Sequence, residues 1–344
     1  MAVTSSSASA LPTARRLTLY PGWAVLAVAA VPFVLGAELP LVYQYLPLVA
    51  SVLLLGLLHG AVDHLLLPRV RGEALTVRWL AIVGLVYLLV GLAFLAVWFF
   101  APALAFVLFV ALALAHWGQG DVYPLVALYG TTHLRTTVQR VLAAAVRGSM
   151  PMLVPLVAFP DQYAFVAGTL IGLFDPAAAE TLVPAFTPEG RLVVAGVLTL
   201  LALAHLGLGY RRAGGTRAWR VDAGDIVGLL AFFAVVPPVL AVGLYFCVWH
   251  SLRHVTRVAL LDPESKRSFS AGLTLPALSR FARDAAPLTA LSFVFLLGLA
   301  ALVPATPVAV ADLVALYLVF VATLTAPHVL LVSWLDREEG IWSG

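Results

Sequence analysis

The stretch "YFCVWHSLRHVTRVALL", residues 245–261, is mostly at home in a bilayer, yet His250, Arg253, His254 and Arg257 sit in its middle. Ionisable groups at membrane depth are expensive, so they face a bundle interior and mark a partner or a function. The stretch reads as a membrane helix, and that reading carries two expectations. The chain is an all-α, polytopic transmembrane bundle, and a polar site lies inside it.

The surroundings support the first expectation. The chain has 344 residues, of which 62% are hydrophobic and 11% charged, with a mean hydropathy of +1.02. No ordinary soluble core needs that much apolar surface. The opening "MAVTSSSASALPTARR" is polar and rich in Ser and Ala, and is expected as a disordered tail over residues 1–18 rather than a cleaved signal. Residues 19–337 are expected to form one transmembrane domain. Cys247 is the sole cysteine, which excludes an internal disulfide and a cysteine-based metal site. Lys266, in the polar loop "DPESKRS", is the sole lysine. An intramembrane lysine, as a retinal Schiff base requires, is therefore excluded. The net charge of +3 comes from loop arginines, and no basic run interleaved with aromatics points to nucleic acid.

Apolar runs of roughly 20 residues, the length needed to span, occur near 20–37, 41–67, 79–100, 102–118, 136–158, 191–210, 224–241, 242–261, 285–303 and 308–335. The shorter run at 163–174 is read as re-entrant or surface-lying. "VVPPVL" (235–240) is read as a boundary between spans, because a proline pair removes two backbone donors. If ten spans alternate, the loop cations fall on one side: Arg15 and Arg16; Arg69, Arg71 and Arg78; Arg211, Arg212, Arg217 and Arg220; and Lys266, Arg267, Arg280 and Arg283. Glu38, Asp161, Asp175, Glu180 and Glu189 fall on the other, with Arg191, at the start of a span, as the exception. The positive side is cytosolic, so both termini are expected inside. A merged pair would leave eight or nine spans.

Eight histidines follow this frame: His59, His64, His116, His133, His205, His250, His254 and His328. All but His133, which belongs to a loop, fall in the cytosolic half of spans running the same way. "HGAVDH" (59–64) places Asp63 one helical turn from His59, with His64 beside it. "HWGQGD" (116–121) ends a span, and "APHVLL" (326–331) puts His328 after a proline. "HSLRH" (250–254) is an i, i+4 pair whose rings project from one helix face, a chelating geometry. Imidazole suits iron, zinc, copper or nickel. His133 and His205 are read as interhelical hydrogen-bonding residues. Asp63 and Asp121 are read as carboxylates that orient a ligand imidazole, with direct ligation as the alternative. Arg253 and Arg257 are read as edge or partner-neutralising residues, and Trp117 and Trp249 as packing aromatics.

"HGAVDH", "HWGQGD", "WHSLRH" and "TAPHVLL", in that order from about residue 50 to 335, resemble the Brp/Blh family of membrane β-carotene dioxygenases. The resemblance implies a non-haem Fe(II) site and cleavage of the central double bond of β-carotene by O2, giving two all-trans-retinals. It implies a cell-membrane enzyme whose retinal passes to a microbial rhodopsin. Matched motif by motif, it points to His59, His116, His250 and His254 as iron ligands. His64 is the alternative to His59, and Asp63, Asp121 and His328 are the supporting or alternative residues. Trp117, Trp249, Tyr245 and Phe246 are the candidates for the substrate pocket.

Two other readings compete. A membrane di-iron desaturase or hydroxylase is also His-rich and apolar, but its "HxxHH" type of box is absent. A transporter or scaffold would use the histidines as interhelical hydrogen-bonding groups and hold no metal.

Overall fold

The computed structural model describes residues 5–53 and 55–343. Its elements are helices, with no strand among the described residues. Among the described residues, eight helical segments are long and apolar enough to cross a membrane: Ser9–Val34, Leu41–Arg71, Val77–Phe100, Pro102–Leu128, Thr137–Ala158, Pro188–Ala213, Leu275–Leu302 and Val310–Glu339. They correspond to eight of the ten expected runs. The other two correspond to the helix Arg217–Val235 and to the continuous run 238–261. The first carries Arg217, Arg220, Asp222 and Asp225 in its opening half, and the second carries two arginines and two histidines. The break between them falls at 236–237, inside "VVPPVL", where a boundary is expected from the proline pair.

Surface and interior are reversed relative to a water-soluble protein. Leu192 is 74% exposed and Leu297 72%, whereas Arg147 and Asp225 are each 0% exposed. An apolar exterior of this extent suits lipid contact, and a satisfied polar interior is what a bilayer demands of buried charge.

Of the tail expected over 1–18, residues 1–4 lie outside the described residues, and residues 5–18 are helical. The first helix runs Ser5–Val34 without a break, and Ala10, Ala14 and Thr18 are buried. It packs on the helix Pro263–Ser270 and on the 245–261 segment. The run near 163–174 forms the 13-residue helix Pro160–Gly172. At 1.5 Å per residue it is about 20 Å long, too short to span. Its Ala167, Leu170 and Ile171 join Trp98, Phe106 and Phe320 in one buried apolar cluster.

Small residues set the closest helix crossing. A Cβ on Gly118 would lie 2.0 Å from the Ala144 carbonyl oxygen, and one on Gly148 would lie 1.8 Å from that of Leu114. Only glycine lets these two backbones meet, the close-approach device of membrane helices. The crossing seats the helix Pro102–Tyr123, which bears His116 and Asp121, directly against the helix Thr137–Ala158, which bears Arg147.

Local irregularity is concentrated at the histidines. Tyr245–Ser251, which contains His250, is a wide π-type turn within the 238–261 run. His59 is followed by a tight 3₁₀ turn, Gly60–Val62, inside the span Leu41–Arg71. Both departures from the α ladder rotate the following residues, and such insertions recur at functional sites.

Candidate metal centre

Five buried imidazoles converge from four parts of the chain. His59 comes from the broken span 41–71, His116 from Pro102–Tyr123, His250 and His254 from the 238–261 run, and His328 from Val310–Glu339. The His59 ring centroid lies 5.3 Å from His250, 5.5 Å from His254, 5.1 Å from His328 and 6.4 Å from His116. His116 lies 4.7 Å from both His250 and His328, and His254 lies 5.2 Å from His328. The i, i+4 pair thus does present both rings to one place. His59 rather than His64 joins the rings.

The nitrogens show how the rings are held. His59 Nδ1–H donates to the Gly56 carbonyl, which leaves Nε2 with the free lone pair, and Ser251 Oγ lies 3.3 Å from the same Nδ1. His328 Nδ1–H donates to Asp63 Oδ2 at 2.7 Å, and Tyr87 donates its hydroxyl to the same oxygen at 2.7 Å. Asp63 therefore fixes an imidazole, and it is that of His328. Gly120 makes room for His250, because a Cβ there would lie 3.2 Å from that ring.

The donor set fits a metal ion. His116 Nε2 and His250 Nε2 lie 3.1 Å apart. Two imidazole nitrogens at right angles on one ion, each about 2.1 Å from it, are about 3 Å apart. Among the described residues, His254 Nε2 and His328 Nε2 are buried with no hydrogen-bond partner. A buried unsatisfied polar group costs about 1–3 kcal/mol, and a cation shared by inward-facing lone pairs removes that cost for the nitrogens that reach it. His59, His116 and His250 offer ligand atoms all within 4.8 Å of one another, and so do Asp63, His254 and His328.

Two of the aromatic candidates wall the cluster. Phe246 meets His59 edge-on at 5.5 Å and lies parallel to His250 at 6.4 Å, and Trp117 lies 6.0 Å from His250. Tyr245 packs behind Trp117 at 5.1 Å. Trp249 faces elsewhere. Its indole donates to both oxygens of Asp121, at 3.2 and 3.1 Å, and its ring carries the Arg253 guanidinium at 3.9 Å.

Among the described residues, Asp121 bonds to no imidazole. It accepts from Arg253 at 2.9 Å and Arg147 at 3.2 Å, in a dry ion network beside the metal centre. Arg147 also reaches Asp222 at 2.6 Å and Asp225 at 3.2 Å, and Arg253 reaches Asp225 at 3.3 Å. Three carboxylates thus surround two guanidiniums. His133 and His205 close the network on Asp222 Oδ2, at 2.7 and 2.9 Å. The interhelical hydrogen-bonding role expected for both is what the structure shows. Arg257 pairs with Asp336 at 2.6 Å and with Glu339. Both arginines of the 245–261 stretch are therefore buried and neutralised by partners.

Sequence reasoning passed over Tyr87, Arg147, Asp222 and Asp225. The last three carried a usable signal, since each is an ionisable residue inside or beside an apolar run. Tyr87, a lone tyrosine in "GLVYLLV", carried none.

Comparison with known proteins agrees with this arrangement. Residues 50–336 match the sequence profile of the family described as "Beta-carotene 15,15'-dioxygenase". The chain is 43% identical to "Probable beta-carotene 15,15'-dioxygenase Blh" of Halobacterium salinarum, over 99% of this chain and 98% of that protein. It is 39% identical to "Probable beta-carotene 15,15'-dioxygenase Brp" of the same species, over 96% of this chain and 93% of that protein. A "Beta-carotene 15,15'-dioxygenase" of uncultured marine bacterium 66A03 is 23% identical over 61% of this chain and 67% of that protein. No solved structure matches.

Proposed function

The chain belongs to the beta-carotene 15,15'-dioxygenase family, and from that premise we propose that it cleaves the central double bond of β-carotene with O2 at a ferrous ion held by His59, His116, His250 and His254. The products are two molecules of retinal. The observation that carries this reading is the convergence of His116 Nε2 and His250 Nε2, 3.1 Å apart, among buried rings with stranded lone pairs.

Ferrous iron in a set of neutral imidazoles supplies O2 activation. The chain's own residues supply the rest. Gly56 holds the His59 tautomer through its carbonyl, so the ring offers Nε2 inward. The depth of the cluster excludes bulk water, which protects a reactive step from side reactions. Phe246 and Trp117 give a flat aromatic wall against which a conjugated hydrocarbon packs without polar loss. A symmetric polyene has no polar handle near its centre, so the cleaved bond is set by how far the chain slides along that wall before its end rings stop it. Substrate and product are both lipid-soluble, and a cell-membrane location spares them transfer through water. A neighbouring microbial rhodopsin is the natural acceptor for the product, since this chain's only lysine is Lys266.

The test is product analysis under ¹⁸O2. Purified protein incubated with β-carotene and reduced at once with borohydride should give about two retinols per substrate consumed, each carrying one ¹⁸O. Recovery of an intact carotenoid skeleton bearing a hydroxyl or a new double bond would overturn cleavage and favour the di-iron hydroxylase or desaturase class.

A further inference from the structure

His328 stands among the rings in a way that a merely structural histidine would not. It is buried, and its ring lies 4.7 Å from His116, 5.1 Å from His59 and 5.2 Å from His254. Its outward nitrogen, Nδ1, donates to Asp63 at 2.7 Å. That bond places the proton on Nδ1 and the lone pair on Nε2. Nε2 is buried and has no hydrogen-bond partner among the described residues. Asp63 is itself fixed, since Tyr87 donates to the same carboxylate oxygen at 2.7 Å. A carboxylate that fixes the tautomer and rotation of an imidazole, and strengthens its donation, is the supporting arrangement seen behind metal-ligating histidines. Of the five rings, only His328 has a carboxylate partner among the described hydrogen bonds, whereas His59 has a backbone carbonyl in that place.

We propose that His328 is a fifth ligand to the same metal ion through Nε2, with Asp63 and Tyr87 as its positioning residues. This rests on the reading that the cluster binds iron. A five-imidazole set leaves one of six positions open, which suits chemistry in which the second reactant is a hydrocarbon. β-Carotene has no lone pair to offer a metal, so it needs a wall beside the ion and not a place on it. The supply of a strong, carboxylate-backed donor also explains why the apolar middle of the helix Val310–Glu339 carries a histidine after Pro327.

The measurement is X-ray absorption of iron in purified, detergent-solubilised protein, together with iron affinity by chelator competition. Wild type should show five nitrogen neighbours, and His328→Ala should show four, with affinity lowered by more than about 10-fold. Asp63→Asn should keep five neighbours and weaken affinity by about 10–100-fold. Tyr87→Phe should shift affinity in the same direction by less. If His328→Ala folds poorly, His328→Gly supplied with free imidazole should regain the fifth neighbour, which restored packing alone does not give. An unchanged neighbour count and unchanged iron affinity in His328→Ala would overturn the fifth ligand while leaving the iron site intact. Wild-type protein that binds no iron on Fe(II) reconstitution would overturn the iron reading and the fifth ligand with it.

Discussion

His250→Ala and His254→Ala should each purify as folded protein that has lost nearly all its iron and more than about 100-fold of its cleavage activity. Loss of a residue that only supports a ligand costs about 10–100-fold, and loss of a ligand exceeds it. Both rings reach the cluster from one helical run, at 5.3 and 5.5 Å from His59. Either truncation should therefore open the same site. The surrounding core is apolar, and a missing imidazole removes no ion-pair partner, so the fold should survive. Metal analysis and a turnover assay on the same preparation check this. Full iron occupancy in His254→Ala would remove that residue from the ligand set.

Arg147→Met should act in the opposite way, on the fold before the chemistry. Arg147 is fully buried and touches Asp121, Asp222 and Asp225. Its removal leaves Asp121 and Asp225 sharing the Arg253 guanidinium, and Asp222 with His133 and His205. Breaking a buried ion network by deleting one partner costs about 3–5 kcal/mol. The variant should therefore express poorly or melt far below wild type in detergent. Arg147→Lys should recover little, because a point charge cannot serve three carboxylates as a planar fork does. A wild-type melting curve for Arg147→Met would show that the network contributes little to stability.

The contrast between these two variants matches what could be read from the chain. The histidines that cluster were legible because helical spacing and shared depth are local properties. "HSLRH" fixes two rings on one face whatever surrounds it, and "HGAVDH" and "HWGQGD" place their histidines at matching depth. The partner of Asp121 was not legible. It depends on the Gly118–Gly148 crossing, which brings Arg147 alongside, and crossings are set by tertiary contacts. The ring that Asp63 accepts from, that of His328, was not legible either, because it lies more than 260 residues away in sequence. The π-type turn at Tyr245–Ser251 left no composition signal. Residues 5–18 look like a solvated tail by composition, but continuity with an apolar helix and packing on Pro263–Ser270 outweigh that local bias. The reversal of polarity, by contrast, was visible from hydropathy alone, because it is a property of the whole chain.

The metal content of purified wild-type protein bears most directly on the centre of this picture. A single ion shared by His59, His116, His250, His254 and His328 predicts about one iron per chain, lost on chelation and restored by Fe(II) together with cleavage. Two irons per chain, or none after reconstitution of an active preparation, would contradict a single histidine-held ion.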